Sequence, residues 1–210
     1  YVAYFTTVNG ADVLSIGADE RLQFKFIEGD LRDPEVAKKA TKDVDIVLHQ
    51  AALGSVPRSI KDPMASHEHN VNAFLNVLTA AKENGVSRVV FASSSSVYGN
   101  STPLPANEDA PAIVPESSYA ASKRSAELVA AAMLKKTPEL RAPMLRFFTV
   151  YGPWQRPEMA ITSFLRNILA DQPITLFGDG SMRRDFTHVS DIVRGVLAAV
   201  DHAPAGARPY

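Results

Sequence analysis

Short apolar runs alternate with longer amphipathic segments along the chain, and this alternation restricts the fold more than any other feature. Strands are predicted where the apolar runs occur, at 23–28, 44–52, 88–92 and 142–150. Helices are predicted between and after them, at 34–41, 62–84, 117–135, 159–170 and 190–202. Strands that alternate with helical segments of about 10–15 residues indicate a parallel sheet with helices on both faces. We therefore predict an α/β fold.

Small or polar residues occur at the carboxyl end of each predicted strand. They occur at 29–31, 50–52, 93–96 and 149–152. Parallel sheets of this kind bind ligands outside the carboxyl ends of their strands. A binding site is therefore expected where these four segments meet, whatever the family of the protein.

A tyrosine and a lysine follow the serine run at 93–96. Tyr119 and Lys123 are four residues apart in a good helix-forming segment, so their side chains share one helix face. A free tyrosine has a pKa near ~10 and is a poor base at neutral pH. A fixed cation nearby favours the phenolate, and a serine at a strand end can hydrogen-bond the phenol and a substrate hydroxyl. These residues together predict a site for general acid–base chemistry.

Composition and charge exclude several other classes of function. The net charge is -1 without a basic block, which argues against nucleic acid and anionic membranes as partners. The chain has no cysteine, so disulfides and thiolate metal sites are excluded, and His67 and His69 are too poorly spaced to predict a metal site. No apolar run approaches the ~18 residues of a spanning helix, and no signal-peptide pattern is present. These features predict a cytoplasmic protein.

Six stretches resemble the extended short-chain dehydrogenase/reductases, in particular the NAD-dependent nucleotide-sugar (UDP-hexose) 4-epimerases. They are Gly29-Asp30-Leu31, His49-Gln50-Ala51-Ala52, 93–99, 119–123, 146–153 and Arg184-Asp185-Phe186. The resemblance implies a Rossmann-like domain, NAD as cofactor, a UDP-sugar as partner, and a homodimer formed by the helices near 62–84 and 117–135.

The resemblance also implies roles for individual residues. The catalytic residues are Ser94, the base Tyr119, and Lys123, which supports the phenol and holds the nicotinamide ribose. The cofactor-binding residues are Asp30, Leu31, Gln50, Ala51, Ala52, Tyr119 and Lys123. The substrate-binding residues are Ser95, Ser96, Thr149, Arg156 and Arg184. No metal ligand is implied.

The implied reaction has no net oxidation or reduction. Tyr119 takes the proton of the sugar 4-hydroxyl while hydride passes from C4 to NAD, and the 4-keto sugar then accepts the hydride on its other face. Related dehydratases carry an acidic residue where this chain has Ser96, which favours epimerisation.

The identity of the sugar stays open. The stretch 50–59 resembles epimerases of N-acetylated UDP-hexoses, whereas 147–157 resembles UDP-glucuronate 4-epimerases. UDP-glucose is a third candidate. The alternatives to an epimerase are a reductase of the same superfamily and a non-catalytic nucleotide-sugar-binding fragment.

The main departure from the family pattern is the glycine-rich loop. The Gly-x-x-Gly-x-x-Gly turn that receives the pyrophosphate of NAD occurs nowhere in the sequence. We therefore expect a chain truncated at both ends. Its expected parts are an NAD-binding domain at 1–150 that lacks the first βα unit, and a partial substrate lobe at 151–210 with a helix returning to the main domain.

Overall fold

The computed structural model describes residues 26–137, 139–176 and 178–210. Part of the strand predicted at 23–28 lies outside these residues. The part that is described, residues 26–28, has no regular secondary structure.

Six strands are present in the described part of the chain. They are β1 (Ile46–His49), β2 (Arg88–Ala92), β3 (Arg141–Leu145), β4 (Thr149–Tyr151), β5 (Phe186–His188) and β6 (Gly206–Pro209). The order β1-β2-β3-β6 forms a sheet in which every pair of neighbours is parallel. The predicted parallel α/β sheet is therefore confirmed.

Seven α-helices connect these strands within the same residues. They are α1 (Pro34–Ala40), α2 (Val56–Lys61), α3 (Pro63–His67), α4 (Ala73–Glu83), α5 (Ser118–Leu134), α6 (Ala160–Leu169) and α7 (Val189–His202). The helices predicted at 34–41, 117–135, 159–170 and 190–202 are confirmed. The helix predicted at 62–84 is interrupted, because Glu68–Asn72 form a π-turn between α3 and α4.

The main core lies between one face of the sheet and the helices α4 and α5. Phe74 of α4 and Phe91 of β2 are fully buried, and their ring centroids are 4.2 Å apart. Burying one such side chain stabilises the fold by about 1.5–3 kcal/mol. Met144 joins this core, whereas its neighbour Leu145 lines a cavity of about 450 Å³ beneath α7. Because successive strand residues point to opposite faces, helices cover both faces of the sheet.

The prediction of one continuous strand at 142–150 was wrong, because two separate strands occupy this stretch. β3 ends at Leu145, where the Phe147 N–H turns back to the Leu145 carbonyl. β4 then pairs in parallel with β5 in a separate two-stranded sheet. After α6 the chain is irregular, since 173–176 have no regular secondary structure.

The side chain that caps the beginning of α7 is His188, which accepts a hydrogen bond from the Ser190 N–H. Beyond α7 the chain returns to the main sheet as β6. The predicted division of the chain at residue 150 stays a prediction. None of the helices described here has the length and apolar character needed to cross a membrane.

Candidate active site

Residues 94–99 form a turn at the carboxyl end of β2, which we call the serine shelf. Ser94 caps a 3₁₀ turn, Ser95–Tyr98, and its Oγ accepts hydrogen bonds from the Ser96 N–H (3.2 Å) and the Ser96 hydroxyl (2.9 Å). A hydroxyl has two acceptor positions and one donor. Both acceptor positions of Ser94 are therefore engaged by Ser96, and its O–H remains as the donor; the Tyr119 phenol is a further hydrogen-bonding partner of Ser94.

Gly99 ends this shelf and brings it close to another loop. Its φ of +64° is a conformation that L side chains rarely adopt. A Cβ at this position would lie 2.1 Å from the Val114 carbonyl oxygen. The shelf therefore requires glycine at position 99, both for its backbone conformation and for the close contact with the loop that contains Val114.

Gly99→Ala is expected to destabilise the protein by more than 2 kcal/mol, as the conformational cost of about 1–2 kcal/mol is joined by a clash with backbone. Gly85→Ala is the matched control, since Gly85 has a φ of +71° but an added Cβ meets nothing within 4 Å. Urea unfolding of both variants measures the difference. Equal losses would mean that the approach to Val114 contributes nothing.

Tyr119 lies in the first turn of α5, which begins after the capping residue Ser117. The Ser117 hydroxyl accepts a hydrogen bond from the Ala120 N–H at 3.1 Å. Burial raises the pKa of the partly buried Tyr119 phenol, while hydrogen bonding with Ser94 and the positive charge of Arg156 act in the opposite direction. The phenol therefore lies between the serine shelf and a cation.

Lys123 contacts the end of β2, and its predicted support of the Tyr119 phenol stays a prediction. Its Nζ donates to the Ala92 carbonyl at 2.7 Å and lies 4.8 Å from the centroid of Phe91. Burial lowers the pKa of Lys123 to about 8, against an opposing effect of Glu127. The four-residue spacing places Lys123 on the same helix face as Tyr119, but the long side chain extends to the end of β2.

His49, at the carboxyl end of β1, is buried next to this lysine. Its ring packs against Phe74 and Phe91, with centroids 5.2 and 5.9 Å away. The Nε2 atom has no hydrogen-bond partner among the described residues. Burial, with the charge of Lys123, lowers the pKa of His49 to about 3, so the ring is neutral.

Arg156 is brought to the site from the stretch that follows β4. Its Nη1 lies 3.6 Å from the position of a Cβ on Gly54, in the loop after β1. It also forms an ion pair with Glu158 at 3.4 Å. Residues separated by about a hundred positions in the sequence are thus close together, and the cation lies near the Tyr119 phenol.

The loop after β1 is held by a residue that the sequence did not single out. Asn70, in the π-turn, is buried and accepts from the Leu53 N–H at 2.7 Å. Its amide donates to the Leu53 carbonyl and to Ser122 of α5. No local signal singled it out, because its neighbours Glu68, His69 and Asn72 are polar as well. Asn70 fixes the segment that carries Gln50, Ala51 and Ala52.

The remaining predicted residues lie in different surroundings. The Asp30 carboxylate accepts from Arg32, which lowers its pKa, and Leu31 is buried beside α1. Thr149 begins β4, and its N–H donates to the Asp185 carbonyl at 3.1 Å. Arg184 is exposed and donates to the Arg183 carbonyl. Ser94 contacts Ser96 and Tyr119, the charge of Arg156 acts on Tyr119, and Lys123 lies one turn further along α5. The ligand roles of all the predicted site residues stay predictions.

The fold and these side chains define a class of protein. A parallel sheet with serines at the end of a strand, beside a helix that carries tyrosine and lysine four residues apart, is the arrangement expected of a short-chain dehydrogenase/reductase. The chain belongs to the NAD dependent epimerase/dehydratase family, whose model matches residues 5–209. The predicted cofactor, NAD, is the one that this family description names.

The chain is also similar in sequence to curated proteins with epimerase names. The chain is 38% identical to the UDP-glucuronate 4-epimerase of Thermodesulfobacterium geofontis over 179 residues, which are 84% of this chain and 55% of that protein. The chain spans about half the length of the curated relatives it matches.

Solved structures resemble this one closely. A tyrosine-to-phenylalanine mutant of UDP-glucuronic acid 4-epimerase from Bacillus cereus, solved with UDP-4-deoxy-4-fluoro-glucuronic acid and NAD, matches with a TM-score of 0.81 and 34% identity. The match covers 89% of this chain and 59% of that one. A dTDP-glucose 4,6-dehydratase from Streptomyces venezuelae, solved with NAD, has a TM-score of 0.81, 33% identity, and coverage of 92% and 59%. The fold is therefore common to epimerases and dehydratases.

Proposed function

We propose that the protein is an NAD-dependent epimerase that inverts C4 of a UDP-hexose, and that its substrate is UDP-glucuronate. The observation that carries the choice of sugar is Arg156, whose charge acts on the Tyr119 phenol. In a hexuronate the carboxylate is attached to C5, next to the carbon that reacts. A cation beside the phenol therefore favours this substrate, because a charge-assisted hydrogen bond is stronger than a neutral one.

In this proposal the side chains of the site handle one proton. Tyr119 removes it from the 4-hydroxyl and later returns it to the 4-oxygen. Ser94 donates its remaining O–H to the phenol or to the sugar oxygen, since its lone pairs are occupied by Ser96. Ser95, Ser96 and Thr149 line the sugar, and Arg184 contacts the pyrophosphate. The absence of an acidic residue at position 96 supports epimerisation over dehydration.

The Lys123 ammonium, which reaches the end of β2, and the small residues after β1 fit the nicotinamide half of NAD. An ammonium has three N–H donors, and Lys123 uses one on the Ala92 carbonyl, so two remain for ribose hydroxyls. The small residues Ala51 and Ala52 follow β1 at the same edge. NAD, when bound, supplies the oxidation and re-reduction of C4. The glycine-rich loop that holds its pyrophosphate in this class does not occur in the sequence.

The variant Arg156→Leu tests whether UDP-glucuronate is the preferred substrate. With turnover followed by NMR of the C4 configuration, kcat/KM for UDP-glucuronate should fall about 10- to 100-fold, the value of a hydrogen bond to a charged group. The loss for UDP-glucose should be smaller. Arg166→Leu removes an exposed arginine of α6 and serves as the control. Equal losses for both sugars would remove the support for UDP-glucuronate.

Calorimetric titration with NAD and with UDP separates the alternative functions. An epimerase binds NAD and inverts C4 without consuming it. A reductase of the superfamily consumes reduced cofactor in proportion to product. A binding fragment takes up UDP and not NAD, and that result would overturn the proposed reaction for this chain.

We also propose a homodimer formed by the surface of α3 and α5. These helices pack against each other and expose Met64 (66%) and Leu128 (54%), apolar side chains that a partner copy would cover. Light scattering should give twice the 22.7 kDa of the chain, and Leu128→Glu should give a monomer. A monomeric wild-type chain would exclude this arrangement.

A further inference from the structure

A buried carboxylate extends the catalytic face of α5 by one more turn. Tyr119, Lys123 and Glu127 follow one another at intervals of four residues, so they form one stripe along the helix. The first two belong to the proposed site. Glu127 is 1% exposed, and the proposed reaction assigns it no role.

The Glu127 carboxylate is satisfied by four hydrogen bonds from three parts of the fold. Its Oε1 accepts from the Ser93 hydroxyl at 2.6 Å and from Arg146 Nε at 3.0 Å. Its Oε2 accepts from Arg146 Nη2 at 2.9 Å and from Arg124 at 2.8 Å. Ser93 follows β2, Arg146 follows β3 and Arg124 belongs to α5. The carboxylate therefore connects two strand ends to the helix that carries the base.

Glu127 and Lys123 together attach α5 to the residues that precede the serine shelf. Lys123 binds the Ala92 carbonyl, and Glu127 binds the hydroxyl of Ser93, the next residue. Ser94, the predicted catalytic serine, comes directly after. Two successive turns of α5 thus fix the end of β2, and the preceding turn carries Tyr119.

Arg146 extends the same network to the far side of the shelf. Its guanidinium carbon lies 4.8 Å from the ring centroid of Tyr98, in the 3₁₀ turn, and its Nη1 donates to the Glu108 carbonyl at 3.2 Å. The position of the whole shelf relative to α5 therefore depends on the pair formed by Glu127 and Arg146.

The charge of Glu127 also acts on Lys123. Burial opposes ionisation of Glu127, but its hydrogen bonds from Arg146, Ser93 and Arg124 prevail and keep its pKa below the usual range. The negative charge raises the pKa of Lys123 against the effect of burial. Among the described residues, the other titratable group facing Lys123 is His49 of β1, which is neutral.

We propose that Glu127 is a positioning residue: its hydrogen bonds to Ser93 and Arg146 hold the serine shelf at a fixed distance from Tyr119, and its carboxylate lies one helical turn from Lys123 on the same face of α5. For its catalytic consequence the proposal rests on the proposed function. Its consequence for Lys123 is a property of the chain alone, without cofactor or substrate.

The direct test is the titration of Lys123, followed by NMR of protein labelled with ¹³C at the lysine Cε and assigned with Lys123→Arg. Glu127→Gln keeps the size of the side chain and removes its charge. In this variant Lys123 should titrate about one pH unit lower than in the wild type, the effect of losing a neighbouring opposite charge. An unchanged titration would overturn the proposal.

Arg124→Gln is the matched control. It removes a hydrogen bond to the same carboxylate from the more exposed side and leaves the charge of Glu127 and its bonds to Ser93 and Arg146 in place. Lys123 should titrate as in the wild type, and turnover should be unchanged. A shift as large as that of Glu127→Gln would attribute the effect to general loosening of α5 and overturn the proposal.

A double variant distinguishes a positioning role of Glu127 from a role in folding alone. Glu127→Leu/Arg146→Met replaces the buried ion pair by apolar side chains, a change that proteins often tolerate. This double variant should fold and still show the lowered titration of Lys123. If both Glu127 variants fail to fold while Arg124→Gln folds, the carboxylate serves the fold alone and the proposal is wrong.

Turnover tests the catalytic part. In the folded Glu127 variants kcat should fall about 100-fold, the loss that a displacement of about 1 Å can cause, with KM little changed. A parallel rise in KM would indicate damage to substrate binding instead, contrary to the proposal. If no UDP-sugar is converted by the wild type but the titration shifts, the proposed function fails and the coupling of Glu127 to Lys123 stands.

Discussion

Tyr119→Phe is expected to lower kcat about 10³-fold, within the range that a positioned general acid–base group contributes. The variant keeps the ring and removes only the hydroxyl, which lies between the Ser94 hydroxyl and the positive charge of Arg156. Binding of NAD and of UDP should change little, because neither needs the phenolic proton. Turnover is measured by NMR of the C4 configuration, and binding by calorimetry.

The control for this prediction is Tyr151→Phe. Tyr151 belongs to β4 and packs edge-on against the rings of Phe186 and His188, so it shares the chemistry of Tyr119 and not its position. Its variant should retain wild-type turnover. If Tyr119→Phe also retained most of its activity, the base of the reaction would be a different group.

Arg146→Met is expected to destabilise the protein by about 3–5 kcal/mol, the cost of leaving a buried charge without its partner. The Glu127 carboxylate would lose two of its hydrogen bonds while it stays 1% exposed. Urea unfolding at pH 7, followed by circular dichroism, measures the change. The double variant Glu127→Leu/Arg146→Met should recover most of the loss, because it no longer buries an unpaired charge.

The effect of Arg146→Met should depend on pH in a defined direction. The hydrogen bonds of Glu127 keep its pKa below the usual value, so its stabilising effect is present at neutral pH and is lost as the pH falls. The difference between wild type and Arg146→Met should therefore shrink below about pH 4.3, where an unperturbed glutamate is protonated. A constant difference down to pH 3 would mean that the ion pair is not the cause.

Elements with strong local signals could be predicted within a residue or two. The run 88–92 is apolar and ends at serines, and β2 covers the same residues. The helix predicted at 117–135 is α5, Ser118–Leu134, because Ser117 is a good cap and the following residues favour helix. The ends of β3 and β4 could not be predicted, since 142–150 is mostly apolar apart from Arg146 and Thr149, and the break at Leu145 depends on distant partners.

The candidate site could also be predicted only in part. The spacing of Tyr119 and Lys123 was enough to place both on one face of α5, and the motif around Ser94 was enough to place it at a strand end. The partner of Lys123 was not predictable, because a long side chain reaches several groups and the nearest acceptor proved to be the Ala92 carbonyl. Arg156 could be suspected only from the resemblance.

By itself the sequence determined the class of fold, the order of most elements, and the chemical groups available at the strand ends. Those features depend on the periodicity of apolar residues and on caps, which act over a few neighbouring positions. Only the tertiary structure decided that Glu127 joins Ser93 to Arg146, that the ring of His49 is buried between Phe74 and Phe91, and that the charge of Arg156 acts on Tyr119. Contacts between residues far apart in the chain follow from packing in three dimensions, which local patterns do not encode.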